Sequence, residues 1–122
     1  MAYDDQNIFA KILREEIPCN KIYEDNYVLS FYDINPQKKI HALVIPKGKY
    51  IDLDDFNKNA SNEEIAGLIK GISIVAKKLG ISTENGKGYR ALANISEDGG
   101  QEVSHLHFHI FGGEKIGKMV SW

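Results

Sequence analysis

The 122-residue chain is poor in cysteine and has no surplus of either charge. Its single cysteine, Cys19, excludes an intramolecular disulfide and a paired-cysteine zinc site. Fifteen Lys+Arg stand against seventeen Asp+Glu, a net charge of −2. That balance removes the broad basic field expected of a protein that holds a nucleic-acid polymer or an anionic membrane. It leaves room for a small phosphate ligand gripped by a few local groups. Long apolar runs are missing too: Ala42–Ile45 is far short of the ~18 residues a membrane span needs. The acidic start, Met1-Ala2-Tyr3-Asp4-Asp5, lacks the apolar core of a signal peptide, so a cytoplasmic, reducing home is expected. Repeats, charge blocks and low-complexity stretches are absent.

What is present is ordinary globular composition, 43% hydrophobic and 26% charged, in a length that suits one domain over residues 1–122. A chain this small buries only about two-thirds of its unfolded surface, so dimerisation is a natural source of added stability. Asn7 is placed to cap a short helix with Ile8, Phe9, Ile12 and Leu13 on one face, which Ile17-Pro18 ends. Strand-like runs follow at Lys21–Glu24 and Tyr27–Ile34 around an Asp25-Asn26 turn, and at His41–Ile45 before Pro46. Ser61 and Glu64 have the spacing of a capping box. The stripe Ile65, Leu68, Ile69, Ile72, Val75, Ala76 and Leu79 then predicts a long helix ended by Gly80. Gly67 and Gly71 inside it are either tolerated surface glycines or points of close approach by another backbone, such as a dimer mate. A strand around Gly88–Ile95, a turn at Glu97–Gln101 and a strand over Val103–Phe111 complete the chain, with a tail from Glu114 to Trp122. Short turns between the early strands favour an antiparallel sheet, and the class is α+β.

Three of the four histidines, His105, His107 and His109, alternate with Leu106, Phe108 and Ile110. In a strand this puts the imidazoles on one outward face and the apolar set in the core. A histidine-rich polar face is one reading. A metal site is a second, although His105 and His109 would lie ~13 Å apart along a strand, leaving a pair such as His105 and His107 with His41. The third is nucleophilic attack on phosphorus, since neutral imidazole is a good nucleophile near pH 7. Asp98-Gly99-Gly100 just upstream reads as a turn, and also as a nest of backbone N–H groups able to hold phosphate oxygens.

The segment His105-Leu106-His107-Phe108-His109-Ile110-Phe111 resembles the signature of the histidine triad (HIT) superfamily. Asn7–Ile12, Glu16-Ile17-Pro18, Phe31–Pro36, His41–Pro46, Gly88-Tyr89-Arg90 and Gly99-Gly100-Gln101 resemble motifs of its Hint branch, in the same order. Gly112-Gly113 after the triad favours Hint over Fhit-like dinucleoside polyphosphate hydrolases. The resemblance implies a five-stranded antiparallel sheet with one short and one long helix, extended across a homodimer. It implies hydrolysis of purine nucleoside 5′-phosphoramidates, and possibly aminoacyl-adenylates, through a nucleotidyl-histidine intermediate. It implies no required metal or other cofactor. His107 would attack the α-phosphorus, the His105 carbonyl would orient its ring, His109 would meet the phosphate or leaving group, and His41 would support the site. Asp33 would bind the ribose. Ile8, Phe9, Ile12, Phe31, Ile34 and Leu43 would line the base pocket, with Ile12, Phe31 and Leu43 partly ordinary core. Asn94, Gly100, Gln101, Glu102 and Val103 would surround the phosphate. Glu102 replaces a small hydroxyl residue, so its carboxylate should turn outward while its N–H donates. A nucleotidyl transferase or dinucleoside polyphosphate hydrolase using the same intermediate, a nucleotide-binding regulatory module, and a zinc-binding adaptor are the alternatives.

Overall fold

Apolar stretches joined by short polar turns pair in chain order. After α1 (Ile8–Leu13), the strands β1 (Lys21–Glu24), β2 (Val28–Tyr32) and β3 (Ile40–Pro46) form an antiparallel meander. The Asp25 carboxylate builds the first turn by accepting from the N–H groups of Tyr27 (2.7 Å) and Val28 (2.9 Å), as aspartate does in an Asx turn. The chain then leaves the sheet through α2 (Leu53–Asn59) and α3 (Asn62–Lys78). It returns as β4 (Arg90–Leu92), makes one helical turn, α4 (Ser96–Gly99), and ends in β5 (Phe108–Gly112). Strand β5 inserts between β3 and β4, giving the order β1-β2-β3-β5-β4 with every neighbour antiparallel. The expected five-stranded antiparallel sheet is therefore present. The computed structural model describes residues 2–120, so Met1 and the last two tail residues, Ser121 and Trp122, lie outside it.

Each sheet face has its own cluster. Val28, Ala42, Val44 and Ile110 pack against Leu68, Ile72, Val75 and Ala76 of α3. Leu29, Phe31, Leu43 and Ile45 pack against Phe9 and Ile12 of α1. Helix α3 begins at the expected capping box: Glu64 N–H donates to Ser61 Oγ (3.1 Å) and Ser61 N–H donates to Glu64 Oε1 (3.0 Å). It closes with Gly80 at φ +75°. Its two glycines belong to neither expected setting. A Cβ on Gly67 would stand 2.5 Å from Tyr27 Cγ, and one on Gly71 2.9 Å from Val28 Cγ2. The close approach is intramolecular, made by side chains of β2 and the residue before it.

Two short helices join the one short and one long helix foreseen. In α2 only Phe56 is buried, so no apolar stripe announces it. The helix is held instead by Asp52, which caps Asp55 N–H at 2.8 Å. The turn at Glu97–Gln101 overlaps α4, which Gly100 ends at φ +76°. The strands foreseen at Tyr27–Ile34, Gly88–Ile95 and Val103–Phe111 are shorter than expected. The last difference matters most. Residues 103–107 precede β5 and bend at 103–105; Leu106 N–H donates to Tyr50 O (2.8 Å) in the loop after β3, and Gln101 Nε2 donates to Val103 O (3.0 Å). Only His109 of the three clustered histidines lies in the ladder, opposite Leu43. No helix of the described residues is long and apolar enough to cross a membrane.

Candidate active site

Alternation survives the loss of ladder pairing. Leu106 and Ile110 are buried in the α3-side cluster, with Phe108 partly buried against it. His105 and His107 lie on the other side, with Phe9 of α1 edge-on to each ring, at 6.3 and 4.9 Å. The imidazoles are not an outward row. His105 is 0% and His107 6% exposed, because the N-terminal segment and α1 cover that face.

Hydrogen bonding fixes the tautomers. A carbonyl can only accept. Pro46 O stands 2.8 Å from His105 Nε2, so that nitrogen carries the proton. His105 O stands 2.7 Å from His107 Nδ1, which likewise carries a proton. Neutral His107 therefore keeps an unprotonated Nε2. On β3, Gln37 N–H donates to His41 Nδ1 at 3.1 Å, so His41 bears its proton at Nε2. That N–H lies 2.9 Å from His109 Nδ1 and 3.3 Å from Asp33 Oδ2. With Nδ1 accepting, His109 carries its own proton at Nε2.

Burial keeps all four rings neutral at pH 7. His105 is held down at about 4 by burial. His109 is also held at about 4, by burial and then by the neighbouring His107 and His41. Burial lowers His107 and His41 as well, while Asp33 opposes the shift in both and Glu102 opposes it at His107. A buried, neutral imidazole with one free lone pair, 5.1 Å between ring centres from a second imidazole, can attack an electrophile and hand protons to or from what leaves.

The sequence model of the HIT domain matches residues 14–116. The chain belongs to the HIT domain family. It is 50% identical over 119 residues to a 13.2 kDa HIT-like protein of Azospirillum brasilense, covering 98% of this chain and 95% of that one. A HIT-like protein of Helicobacter pylori is 50% identical over 109 residues, 89% of this chain and 98% of its own. Among solved structures, a HIT family hydrolase from Legionella pneumophila superposes with a TM-score of 0.81 at 36% identity, covering 90% of this chain and 95% of its own. A histidine triad protein from Clostridium difficile gives 0.81 at 39% identity, covering 98% and 100%.

Phe9, Ile12, Phe31 and Leu43 are buried in one cluster, whereas Ile8 and Ile34 are 45% and 90% exposed. Asn94 is half-buried and Glu102 exposed. The glycine nest is not free. Gly100 N–H donates to Glu97 O (3.1 Å) and Gln101 N–H to Ser96 O (3.0 Å), closing α4. The Gln101 side chain is also spent: Nε2 donates to Ile51 O (2.7 Å) and Val103 O (3.0 Å), and Oε1 accepts from Ser96 N–H (2.9 Å). Gln101 thus braces the loop instead of facing an anion. Among the described residues, the N–H groups of Glu102 and Val103 make no hydrogen bond.

Ligand atoms of Asp33, His41 and His109 all lie within 4.8 Å of one another, close enough for a cation. A metal on His41 Nε2 would drive its proton to Nδ1, against the Gln37 N–H. Ligating histidines normally donate from the far nitrogen, so this network suits a proton better than a metal. A cavity of about 870 Å³ lies elsewhere, between the end of α3 and Gly113–Gly117, and holds none of the histidines.

Phe111 and Tyr3 escaped the sequence reading. The Phe111 ring stacks on His109 (5.8 Å, 2°) and packs on His41 (4.3 Å). Period-two spacing after His109 was its signal. Tyr3 bonds His105, and only an aromatic in an acidic polar segment hinted at it.

Proposed function

We propose that this HIT domain hydrolyses nucleoside 5′-phosphoramidates, as a member of the Hint branch. The observation that carries the reading is the His107 ring, with its Nδ1 proton committed to the His105 carbonyl and Nε2 left as a buried, neutral lone pair. Nε2 attacks the α-phosphorus as the P–N bond to the amine breaks. The departing nitrogen takes up a proton from solvent through His109, whose Nε2–H faces away from His41. The nucleotidyl-imidazole keeps its Nδ1–H on the His105 carbonyl, which stabilises the positive ring. Water then attacks phosphorus, returns a proton to solvent, and releases the nucleoside monophosphate.

Asp33 accepts from the ribose hydroxyls, exposed Ile8 and Ile34 with the Phe9 and Phe31 cluster receive a purine, and the N–H groups of Glu102 and Val103 hold phosphate oxygens. No metal or cofactor enters. Two copies join in the cytoplasm with their sheets continuous across the interface and the long helix beside it.

Release of AMP from adenosine 5′-phosphoramidate tests the reading. His107→Ala should lose roughly a thousandfold or more in kcat, and a chelator should leave the native rate unchanged. Mass spectrometry of quenched protein should find AMP added to His107. Chelator-sensitive turnover would favour the metal-bound alternative. Equal, negligible turnover in both proteins with AMP still bound would favour a regulatory module.

A further inference from the structure

We propose that Tyr3 is a positioning residue for the nucleophile, acting through the ring of His105. The catalytic half of this inference rests on the reading of His107 given above. Tyr3 lies outside residues 14–116, the part of the chain that the HIT domain covers, so membership of the family assigns it nothing.

The Tyr3 hydroxyl stands 2.6 Å from His105 Nδ1, and the two rings meet edge to face at 5.6 Å. His105 Nε2 gives its proton to Pro46 O, so neutral His105 must accept at Nδ1. Tyr3 O–H is the donor, and burial raises its pKa further above neutrality. His105 is thus held at both ring nitrogens, while its own carbonyl holds the His107 Nδ1 proton at 2.7 Å. Among the described residues, that carbonyl is the only hydrogen-bond partner of the His107 ring. Whatever turns the His105 peptide frees the proton to move to Nε2, where it would block attack.

The segment carrying Tyr3 is fastened independently. Asp5 pairs with Lys49 Nζ at 2.9 Å, in the loop that follows Pro46. Arg14 Nη1 donates to Asp5 O at 2.9 Å, and Asn7 donates to Asp4 O through Nδ2 at 2.7 Å. The strap and the Pro46 carbonyl are therefore tied to one loop, and they clamp His105 from opposite nitrogens.

Tyr3→Phe in the full-length protein keeps the ring contact and removes only the hydroxyl. Long-range ¹H–¹⁵N spectra of the histidines report tautomers directly, without substrate. The expected result is a shifted His105 Nδ1 resonance and His107 Nδ1–H exchange with solvent faster by about fivefold or more. Single-turnover nucleotidylation should fall about tenfold, with KM within about twofold, since a buried acceptor is left unpaired. A lowered Tm with unchanged exchange and an unchanged nucleotidylation rate would overturn the proposal, leaving Tyr3 a packing residue. A native protein that turns over no phosphoramidate would overturn the substrate reading alone, and the exchange measurement would still decide whether Tyr3 holds the tautomer.

Discussion

Acidification probes the buried imidazoles directly. In an unfolded chain each histidine takes a proton near pH ~6.5. In the fold, burial holds His105 and His109 at about 4 and lowers His41 and His107 as well. Between those values the unfolded chain binds more protons than the native one, so stability is full above the unfolded value and is lost as pH falls through the window. For a pKa lowered from 6.5 to about 4, the loss by pH ~5 is about 2 kcal/mol per imidazole. His105 and His109 together lose about 4 kcal/mol, a large share of the ~5–15 kcal/mol that holds a domain folded. The salt-bridged carboxylates act later. Glu24, held at about 2 by Lys21 and Lys47, starts to cost stability only below its ordinary 4.5. Urea unfolding at pH ~7.5, ~6 and ~5 and constant ionic strength should therefore show a midpoint falling by about 2 M across the range. His109→Asn, which cannot titrate, should remove about half of that pH dependence whatever it does to absolute stability. A midpoint that stays flat to pH ~5, or imidazole C2–H resonances of His105 and His109 titrating near ~6.5, would refute the account of these rings as buried and neutral.

Two further outcomes are expected. Gly67→Ala would set a methyl 2.5 Å from Tyr27 Cγ and 2.6 Å from its Cβ, the stem of that side chain. Overpacking of about 1–3 kcal/mol should then outweigh the alanine helix preference in urea unfolding, and a stabilised variant would show that the helix and Tyr27 separate freely. Asp33→Asn keeps the acceptor for Asn35 N–H (2.8 Å) but removes the charge offered to a ribose. AMP binding by calorimetry should weaken by about tenfold, and an unchanged Kd would remove Asp33 from the nucleotide site.

Much of the frame was readable from local chemistry. The Ser61–Glu64 box, the Asn7 cap, the Asp25 turn and the Gly80 terminus are each decided within a few residues, so composition at those positions was enough. The split of His105, His107 and His109 from Leu106 and Ile110 was readable for the same reason. Burial of the imidazoles was not, because it depends on Phe9 and Tyr3 arriving from the far end of the chain. Alternation also could not separate a paired strand from a bent loop. Residues 103–107 have the pattern of β5 but spend Leu106 N–H on Tyr50. Gly67 and Gly71 announced a tight contact without saying what made it, since a missing Cβ carries no record of its neighbour. Gln101 read as an anion contact until its amide proved to be shared among three backbone groups.

The position of β5 in the strand order has a consequence during synthesis. It is the last strand to leave the ribosome, yet it fills the gap between β3 and β4. Until Phe108–Gly112 emerges, the apolar run Ala42–Ile45 presents an open edge, the kind of surface that recruits chaperones or stray strands. The clustered histidines His105, His107 and His109 arrive with that closing piece. A nascent chain stalled before it is sticky and lacks the three clustered imidazoles, so the step that seals the sheet is also the step that assembles them.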